Sequence, residues 1–146
     1  MKIQDVMTRD PRSVTPETSA RDAACIMKDE DVGIIPVIDG DSRRLVGVVT
    51  DRDLALRIVA EGRDGETRVR DVMSAGKLAT CTPDEDLDSA METMASEQVR
   101  RIPIVDERGS LVGIIAQADV VRKASNDKKS EETVERISEP GGRHTS

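Results

Sequence analysis

The 146-residue chain contains no phenylalanine, tyrosine or tryptophan. Proteins that grip single-stranded nucleic acid usually stack the bases on aromatic side chains, so this absence argues against that function. A flat ring bound by this chain would have to lie between aliphatic side chains and backbone. The core must likewise be built from valine, isoleucine, leucine, methionine and alanine.

Histidine and cysteine are scarce as well. The single histidine, His144, falls in a polar C-terminal tail, which excludes a serine–histidine or cysteine–histidine catalytic pair in the rest of the chain. Cys25 and Cys81 form no Cys-x-x-Cys pair for zinc, and their apolar neighbours predict two buried free thiols. The acidic run Asp84–Asp86 precedes a predicted helix and is interpreted as capping. We therefore expect no enzyme, no metal site and no catalytic cofactor.

Long apolar runs and an excess of positive charge are also missing. No stretch approaches the roughly 18 apolar residues of a membrane span, and the N-terminal MKIQDVMTRD lacks the apolar core of a secretory signal. The formal net charge of −7 suits neither DNA nor an anionic membrane surface. These features predict a cytoplasmic protein with no nucleic-acid or membrane partner.

The sequence does contain an internal repeat. The segment VGIIPVID at residues 32–39 matches VRRIPIVD at 99–106, and LVGVVTDRDLALR at 45–57 matches LVGIIAQADVVRK at 111–123. A DVMT lead-in near the N-terminus returns as DVMS before the second copy. Two copies of one unit in the same order indicate a duplicated structural unit.

The repeat sets the expected domain boundaries. The seam lies in the glycine- and charge-rich residues 61–68, which gives a first repeat at 1–66 and a second at 67–125. Residues 126–146 are polar and end near Pro-Gly-Gly, so we expect a mostly disordered tail with a helical turn or two around Glu131–Ile137.

Each copy shows the same order of periodicities. Apolar residues at helical spacing predict an amphipathic helix at residues 20–27 and again at 87–95, and a second helix follows each hairpin. The predicted strands are Ile34–Asp39, Leu45–Val49, Ile102–Asp106 and Leu111–Ile115. The fold class is therefore α/β (α+β), with two β-α-β-β-α repeats packed about a pseudo-two-fold axis so that each covers the other's sheet.

An apolar-Pro-apolar-apolar-Asp strand, a hairpin and Leu-Val-Gly-apolar-apolar-x-x-x-Asp, all present twice, resemble the cystathionine-β-synthase-type (CBS) domain pair, or Bateman module. The resemblance covers residues 1 to about 124 and is to the bacterial and archaeal proteins that carry the pair alone. It implies two clefts between the halves that take AMP, ADP, ATP, S-adenosylmethionine or NAD-type ligands. It also implies a homodimer and a regulatory or sensor function toward an unknown protein target.

The nucleotide motif of this family, Gly-apolar-apolar-Thr/Ser-x-x-Asp, reads GVVTDRD in the first copy. There Thr50 would meet a phosphate beside the free N–H groups of the next turn, and Asp53 would accept hydrogen bonds from the ribose hydroxyls. The same pattern resembles a helix capping box, and both roles can coexist. The second copy has Ala116 in place of threonine and keeps Asp119. We therefore expect unequal clefts, with the Thr50–Asp53 cleft the better one.

The resemblance also points to residues around the two prolines. Arg100 and Arg101 would form an anion clamp for phosphates, with Arg52 assisting; the alternative is that these arginines lie in solvent or pair with acidic neighbours. The apolar walls against an adenine ring would be Ile35, Pro36, Ile102 and Pro103. Ordinary core packing is the alternative for these four.

The leading hypothesis is thus an adenine-nucleotide sensor whose regulatory ligand is AMP, ADP or ATP. A sensor of S-adenosylmethionine or of an NAD-type ligand is a variant of it. The loss of the threonine hydroxyl at Ala116 is compatible with a second function, a ligand-free assembly module. A nucleic-acid-associated protein is the third hypothesis, and the charge and the missing aromatic residues disfavour it.

Overall fold

The computed structural model describes the backbone of residues 1–135 and the side chains of residues 1–126. The strands are β1 (Thr8–Arg9), β2 (Ile34–Ile38), β3 (Leu45–Thr50), β4 (Arg101–Val105) and β5 (Leu111–Ala116). The helices are α1 (Ala20–Glu30), α2 (Asp51–Leu54, continued by a π-helical turn at Ala55–Val59), α3 (Leu87–Glu97) and α4 (Gln117–Glu135). We call α1, β2, β3 and α2 the first half, and α3, β4, β5 and α4 the second half. The predicted fold class is confirmed.

The first helix of each half lies where the apolar periodicity predicts it. Helix α1 begins after Ser19, whose hydroxyl accepts a hydrogen bond from the Asp22 amide at 3.1 Å. Its buried residues are Ala20, Ala23 and Met27. Cys25 lies outside this buried set and is exposed, so the expectation of two buried thiols is wrong for Cys25, while Cys81 is buried. A helix with one buried face leaves the residues between its buried positions to solvent.

The two hairpins have equivalent registers. Pro36 pairs with Val48 in the first half, and Pro103 pairs with Ile114 in the second. In each hairpin the register shifts directly after the residue that follows the proline, between Val37 and Ile38 or between Ile104 and Val105. The predicted hairpin strands are therefore confirmed, and the two halves are built alike.

The hairpin loops join the halves directly. The Leu45 amide donates to the Gly109 carbonyl at 3.0 Å, and the Leu111 amide donates to the Arg43 carbonyl at 2.9 Å. Leu45 and Leu111 are equivalent positions of the repeat. Reciprocal bonds between equivalent positions are what an approximate two-fold axis between the halves produces.

The first strand predicted for each unit is shorter than expected. It is reduced to one bridge residue that pairs in parallel, Val14 with Val37 in the first unit and Cys81 with Ile104 in the second. A Thr-Pro step follows within two residues in each unit, at Pro16 and Pro83. Proline has no N–H to continue a strand ladder, so the pairing ends there.

The two lead-ins pack on the opposite repeat. Strand β1 of the N-terminal lead-in pairs with β5, and Ile3 and Met7 are buried in the core of the second half. Val69 and Val72 of the DVMS lead-in are buried in the core of the first half. The sequence repeat and the structural half therefore differ in their first residues.

Helix α4 continues beyond the second repeat to Glu135. The expectation of a disordered tail from residue 126 is therefore wrong for residues 126–135. Their sequence, NDKKSEETVE, contains no glycine or proline and is rich in lysine and glutamate, which favour helix without any apolar period. Residues 136–146, with His144 and the end of the helical turn expected at Glu131–Ile137, lie outside the described residues. No helix of residues 1–135 is both long and apolar enough to cross a membrane.

Candidate functional site

A cavity of about 240 Å³ lies between the two halves. Strand β2 supplies part of its apolar wall through Ile35 and Pro36. The second half supplies Ala116 at the end of β5, and Arg101 and Asp119. The structure thus brings four of the predicted site residues to one cavity: Ile35, Pro36, Arg101 and Asp119.

Helix α4 forms part of the polar side of this cavity. Asp119 and Arg122 lie in its first two turns, and the Arg122 Nη2 donates to the Asp119 Oδ1 at 2.9 Å. The side chain of Arg122 is 66% exposed and that of Asp119 is 29% exposed. Among residues 1–126, no carboxylate lies within ion-pair distance of Arg101. Arg122 is thus paired at the cavity, whereas Arg101 has no ion pair among these residues.

An open groove adjoins this cavity on the surface. Its described lining includes Arg100, Arg101 and Arg122 and no acidic residue. Arg100, predicted as half of an anion clamp, is exposed at this groove and does not line the cavity itself. The two arginines of the predicted clamp thus lie at neighbouring sites.

Thr50 and Asp53 form a capping box at the start of α2. The Asp53 amide donates to the Thr50 Oγ1 at 3.0 Å, and the Thr50 amide donates to the Asp53 Oδ2 at 3.0 Å. Asp53 is only 8% exposed. The capping alternative left open by the sequence is therefore realised in the structure.

Asp53 also accepts hydrogen bonds from the DVMS lead-in of the second repeat. The Ser74 hydroxyl donates to the Asp53 carboxylate at 3.2 Å and 3.3 Å, and the Arg57 Nε lies 4.0 Å from its Oδ1. The Arg57 Nη1 donates to the carbonyls of Val72 and Met73 at 3.0 Å and 3.1 Å. The carboxylate of the intact motif thus has its hydrogen-bonding capacity used from within the protein.

The remaining predicted residues lie away from the cavity. Ile102 is fully buried in the core of the second half, and Pro103 beside it is buried. Within residues 1–126 the exposed guanidinium of Arg52 makes no hydrogen bond or ion pair, and its backbone N–H donates to the side chain of the preceding aspartate. Core packing is thus realised for Ile102 and Pro103, and Ile35 and Pro36, although they line the cavity, are almost fully buried as well.

Sequence reasoning missed Arg122 and the Arg12–Glu30 ion pair, whose members all line the cavity. Arg122 could have been found by comparing the repeats, because it aligns with the apolar Leu56. A charge present in only one copy indicates a property that the copies do not share. Arg12 has no such signal, because it lies outside the segments that match.

Two ionisable groups near the start of α3 have shifted pKa values. Burial raises the pKa of the Cys81 thiol; nearby Glu85 adds to this effect, and a hydrogen bond with Thr93 opposes it. A hydrogen bond from the Thr82 hydroxyl at 2.7 Å lowers the pKa of Asp84. Asp84 and Glu85 thus hold the turn at Thr82, whereas Asp86 lies at the N-cap of α3 and makes no side-chain cap hydrogen bond, so the capping interpretation is wrong for Asp86. Within the described part of the chain, no group of three or more histidine, cysteine or acidic side chains could hold a metal ion.

The comparisons with known proteins agree with the duplicated architecture. The family model for the CBS domain matches residues 3–60 and 69–126. The CBS domain-containing protein YhcV of Bacillus subtilis (strain 168) is 44% identical over 126 residues, which is 86% of this chain and 87% of YhcV.

Two solved structures share the fold. The crystal structure of CBSX2 in complex with AMP superposes with a TM-score of 0.74 at 30% identity and covers 87% of this chain and 98% of CBSX2. The CBS domain pair of MJ0100, in complex with 5′-methylthioadenosine and S-adenosyl-L-methionine, gives a TM-score of 0.75 over 87% of this chain and 98% of that domain pair. At 23% identity, the second likeness concerns the fold alone.

Proposed function

The chain belongs to the CBS domain family, with two CBS domains in tandem, and we propose that it is a non-catalytic regulatory module that binds an adenine-containing ligand between its halves. The observation that carries this proposal is the cavity that joins Ile35 and Pro36 of the first half to Asp119 of the second. A ligand that contacts both halves stabilises the arrangement in which it fits best, and this supplies a means of signalling. The AMP complex of the related CBSX2 supports the choice of ligand class.

We assign the ligand groups by the chemistry of the cavity. The apolar wall at Ile35 and Pro36 suits an adenine ring in a chain that has no aromatic side chain. Asp119 can accept hydrogen bonds from two ribose hydroxyls. Arg101 is available for an anionic group at the end of the ligand.

The sequence motif favours the Thr50–Asp53 cleft as the better ligand site, and this proposal favours the Asp119 cleft instead. The Asp119 cleft offers a cavity and a partly exposed carboxylate, whereas Asp53 is buried and engaged by Thr50 and Ser74. We therefore propose the Asp119 cleft as the primary site. The Thr50–Asp53 cleft, with Arg52, Arg100, Ile102 and Pro103, stays a prediction for a second ligand.

We further propose that occupancy is transmitted to a protein partner and that the protein acts as a homodimer. Leu56 and Val59 in the α2 region and Val121 on α4 are exposed apolar side chains. Exposed apolar groups are typical of surfaces that a second chain covers. The same side chains would also serve the ligand-free assembly alternative.

The experiment that tests the ligand proposal is the near-ultraviolet spectrum of the purified, desalted protein, followed by mass spectrometry of any released small molecule. With no tryptophan or tyrosine, the chain is almost transparent where adenine absorbs. A bound adenine compound is expected to appear directly in the spectrum and to be identified by its mass.

A blank spectrum leads to calorimetric titration with AMP, ADP, ATP, adenosine and S-adenosylmethionine. Saturable binding of any of them supports the sensor function. An absence of heat with all five, in a protein that remains folded, contradicts it and favours the ligand-free assembly module.

A further inference from the structure

The two repeats differ in charge at the positions that line the cavity. Arg122 aligns with Leu56, and Arg101 aligns with Ile34. Both arginines line the cavity of the Asp119 cleft. The second repeat has thus placed two guanidinium groups where the first has aliphatic side chains.

The ion pair between Arg122 and Asp119 occupies the carboxylate that the ligand needs. The Arg122 Nη2 lies 2.9 Å from the Asp119 Oδ1. Ribose hydroxyls that bind this carboxylate compete with the guanidinium for the Asp119 Oδ1. A guanidinium moved off Asp119 keeps its charge and therefore favours another anionic acceptor over water.

A phosphate is the acceptor that fits. The planar guanidinium donates two parallel hydrogen bonds to phosphate oxygens, and these charge-assisted bonds are stronger than bonds between neutral groups. Arg122 also lines the adjoining groove with Arg100 and Arg101, and the described lining of that groove contains no acidic residue. A ligand phosphate that extends from the cavity into this groove would lie beside these three arginines. Such a local excess of positive charge contrasts with the formal net charge of −7 for the whole chain.

We propose that Arg122 exchanges Asp119 for a ligand phosphate on binding, and that this exchange makes the cleft selective for adenine nucleotides over adenosine. The inference rests on the proposed function and deepens it. The nucleotide supplies the new partner for Arg122 and at the same time receives the released Asp119. Adenosine carries no anionic group and leaves Arg122 without a charged partner.

The test measures the affinities of AMP and adenosine by titration calorimetry in three proteins: the natural chain, Arg122→Leu and Arg63→Leu. Arg122→Leu copies the residue of the first repeat, and Arg63→Leu removes the same charge from an exposed position elsewhere. In the natural chain and in Arg63→Leu, AMP is expected to bind at least about tenfold more tightly than adenosine. In Arg122→Leu the ratio is expected to fall to about threefold or less, with adenosine binding unchanged or tighter because Asp119 is free.

The adenosine affinity separates this mechanism from simple damage, because a distorted cleft would weaken both ligands. Arg122→Lys keeps the charge without the planar pair of donors and is expected to show an intermediate ratio. It also replaces Arg122→Leu if that variant does not fold.

Equal affinities for AMP and adenosine in the natural chain would overturn the selectivity while the proposed function stands. Unchanged selectivity in Arg122→Leu, or in Arg122→Lys as its replacement, would overturn the role of Arg122. No binding of either ligand to the natural chain would overturn both proposals.

Discussion

Asp53 and Asp119 are equivalent residues of the repeat with different surroundings. Asp53 is buried, caps α2 and accepts a hydrogen bond from Ser74, whereas Asp119 is partly exposed beside a cavity and paired with Arg122. A carboxylate engaged from within stabilises the fold, and a carboxylate at a cavity is available to a ligand. Residue type alone does not decide between these roles; the neighbours of each carboxylate do.

Replacing these two aspartates by alanine is therefore expected to affect different properties, stability for Asp53 and ligand binding for Asp119. Asp53→Ala should lower the free energy of unfolding by about 1–2 kcal/mol, because it removes a cap and leaves polar groups without partners. Asp119→Ala should change stability by less than about 1 kcal/mol, since it removes an exposed ion pair, and should weaken AMP binding about tenfold. Urea unfolding and titration calorimetry measure the two effects. If Asp53→Ala removes binding from a folded protein and Asp119→Ala does not, the Thr50–Asp53 cleft is the primary site, as the motif predicts.

The two cysteine thiols also differ in their surroundings, because one is exposed and the other is buried. Cys25 is exposed on α1 and Cys81 is buried. A thiol reagent added to the native protein at mildly alkaline pH is expected to modify one thiol rapidly, and both thiols after unfolding. Cys25→Ala should abolish the rapid reaction. Two rapid reactions in the natural chain would show that Cys81 is accessible.

The raised pKa of Cys81 also predicts a pH dependence of stability. The folded chain holds the thiol proton more tightly than the unfolded chain does, so this stabilisation is complete below the ordinary pKa of the thiol. It is lost as the pH rises through the raised value of the folded state. The free energy of unfolding should therefore fall at alkaline pH, and by less in Cys81→Ala than in Cys25→Ala. Equal alkaline losses in the two variants would assign the effect to other groups.

At the residue scale, sequence reasoning named four residues that share a cavity, and it left open or overlooked what packing decides. It selected Ile35, Pro36, Arg101 and Asp119, which the structure brings to one cavity. It could not decide between cap and ligand for Thr50 and Asp53, because the same two side chains satisfy both patterns. It overlooked Arg122, whose importance follows from the cavity beside it.

Each hairpin depends on a glycine where the opposite lead-in crosses it. A Cβ atom built on Gly113 would lie 2.7 Å from the Met7 sulfur and 2.9 Å from the Thr8 carbonyl oxygen. The equivalent Gly47 would bring a Cβ atom to 2.8 Å from the Ser74 carbonyl oxygen. The glycine of each Leu-Val-Gly segment therefore permits the close backbone approach that completes each half.

Gly113→Ala is accordingly expected to lower the free energy of unfolding by about 1–3 kcal/mol, because the backbone of β1 would have to move. Gly40→Ala is the matched control, since its Cβ atom would meet only the Thr15 methyl group at 3.7 Å. The control should be neutral or slightly stabilising. Thermal or urea unfolding compares the two variants. Equal stability of Gly113→Ala and Gly40→Ala would show that β1 does not lie against β5 as described.

Periodicity predicted the helices and hairpins because their patterns are local. The pairing of β1 with β5 joins residues more than one repeat apart, and no local pattern encodes it. The C-terminal end of α4 was not predicted for a different reason. After about Ser125 the apolar period ends, yet residues with good helix propensity continue to Glu135. An apolar period identifies the buried part of a helix and does not mark its end.

At the scale of the whole molecule, the exchanged lead-ins tie the two halves into one unit. Ile3 and Met7 complete the second core, and Val69 and Val72 complete the first. A single repeat of about 60 residues buries too little surface to be comfortably stable on its own. The proposed cleft between the halves thus belongs to one cooperative structure, in which a ligand bound to both halves stabilises the whole.

The α2 region leaves an apolar surface outside that unit. Val59 is 76% exposed and Leu56 is 48% exposed, although both side chains are apolar. Burying such side chains against a second copy removes apolar area from water, which favours association. We therefore expect a dimer in which this surface is covered, and Val59→Glu should raise the dimer dissociation constant at least about tenfold, because an unpaired charge would be buried.

Light scattering coupled to size-exclusion chromatography measures the mass at several protein concentrations. Ala95→Glu is the matched control, because Ala95 is exposed on α3, outside the proposed surface, and receives the same charge. A dimeric mass for the natural chain and Ala95→Glu, with a monomeric mass for Val59→Glu, supports this contact. Val59→Glu that remains as dimeric as its control would show that another surface joins the copies. A monomeric natural chain would contradict the proposed homodimer, and signalling through the cleft would then have to act within a single chain.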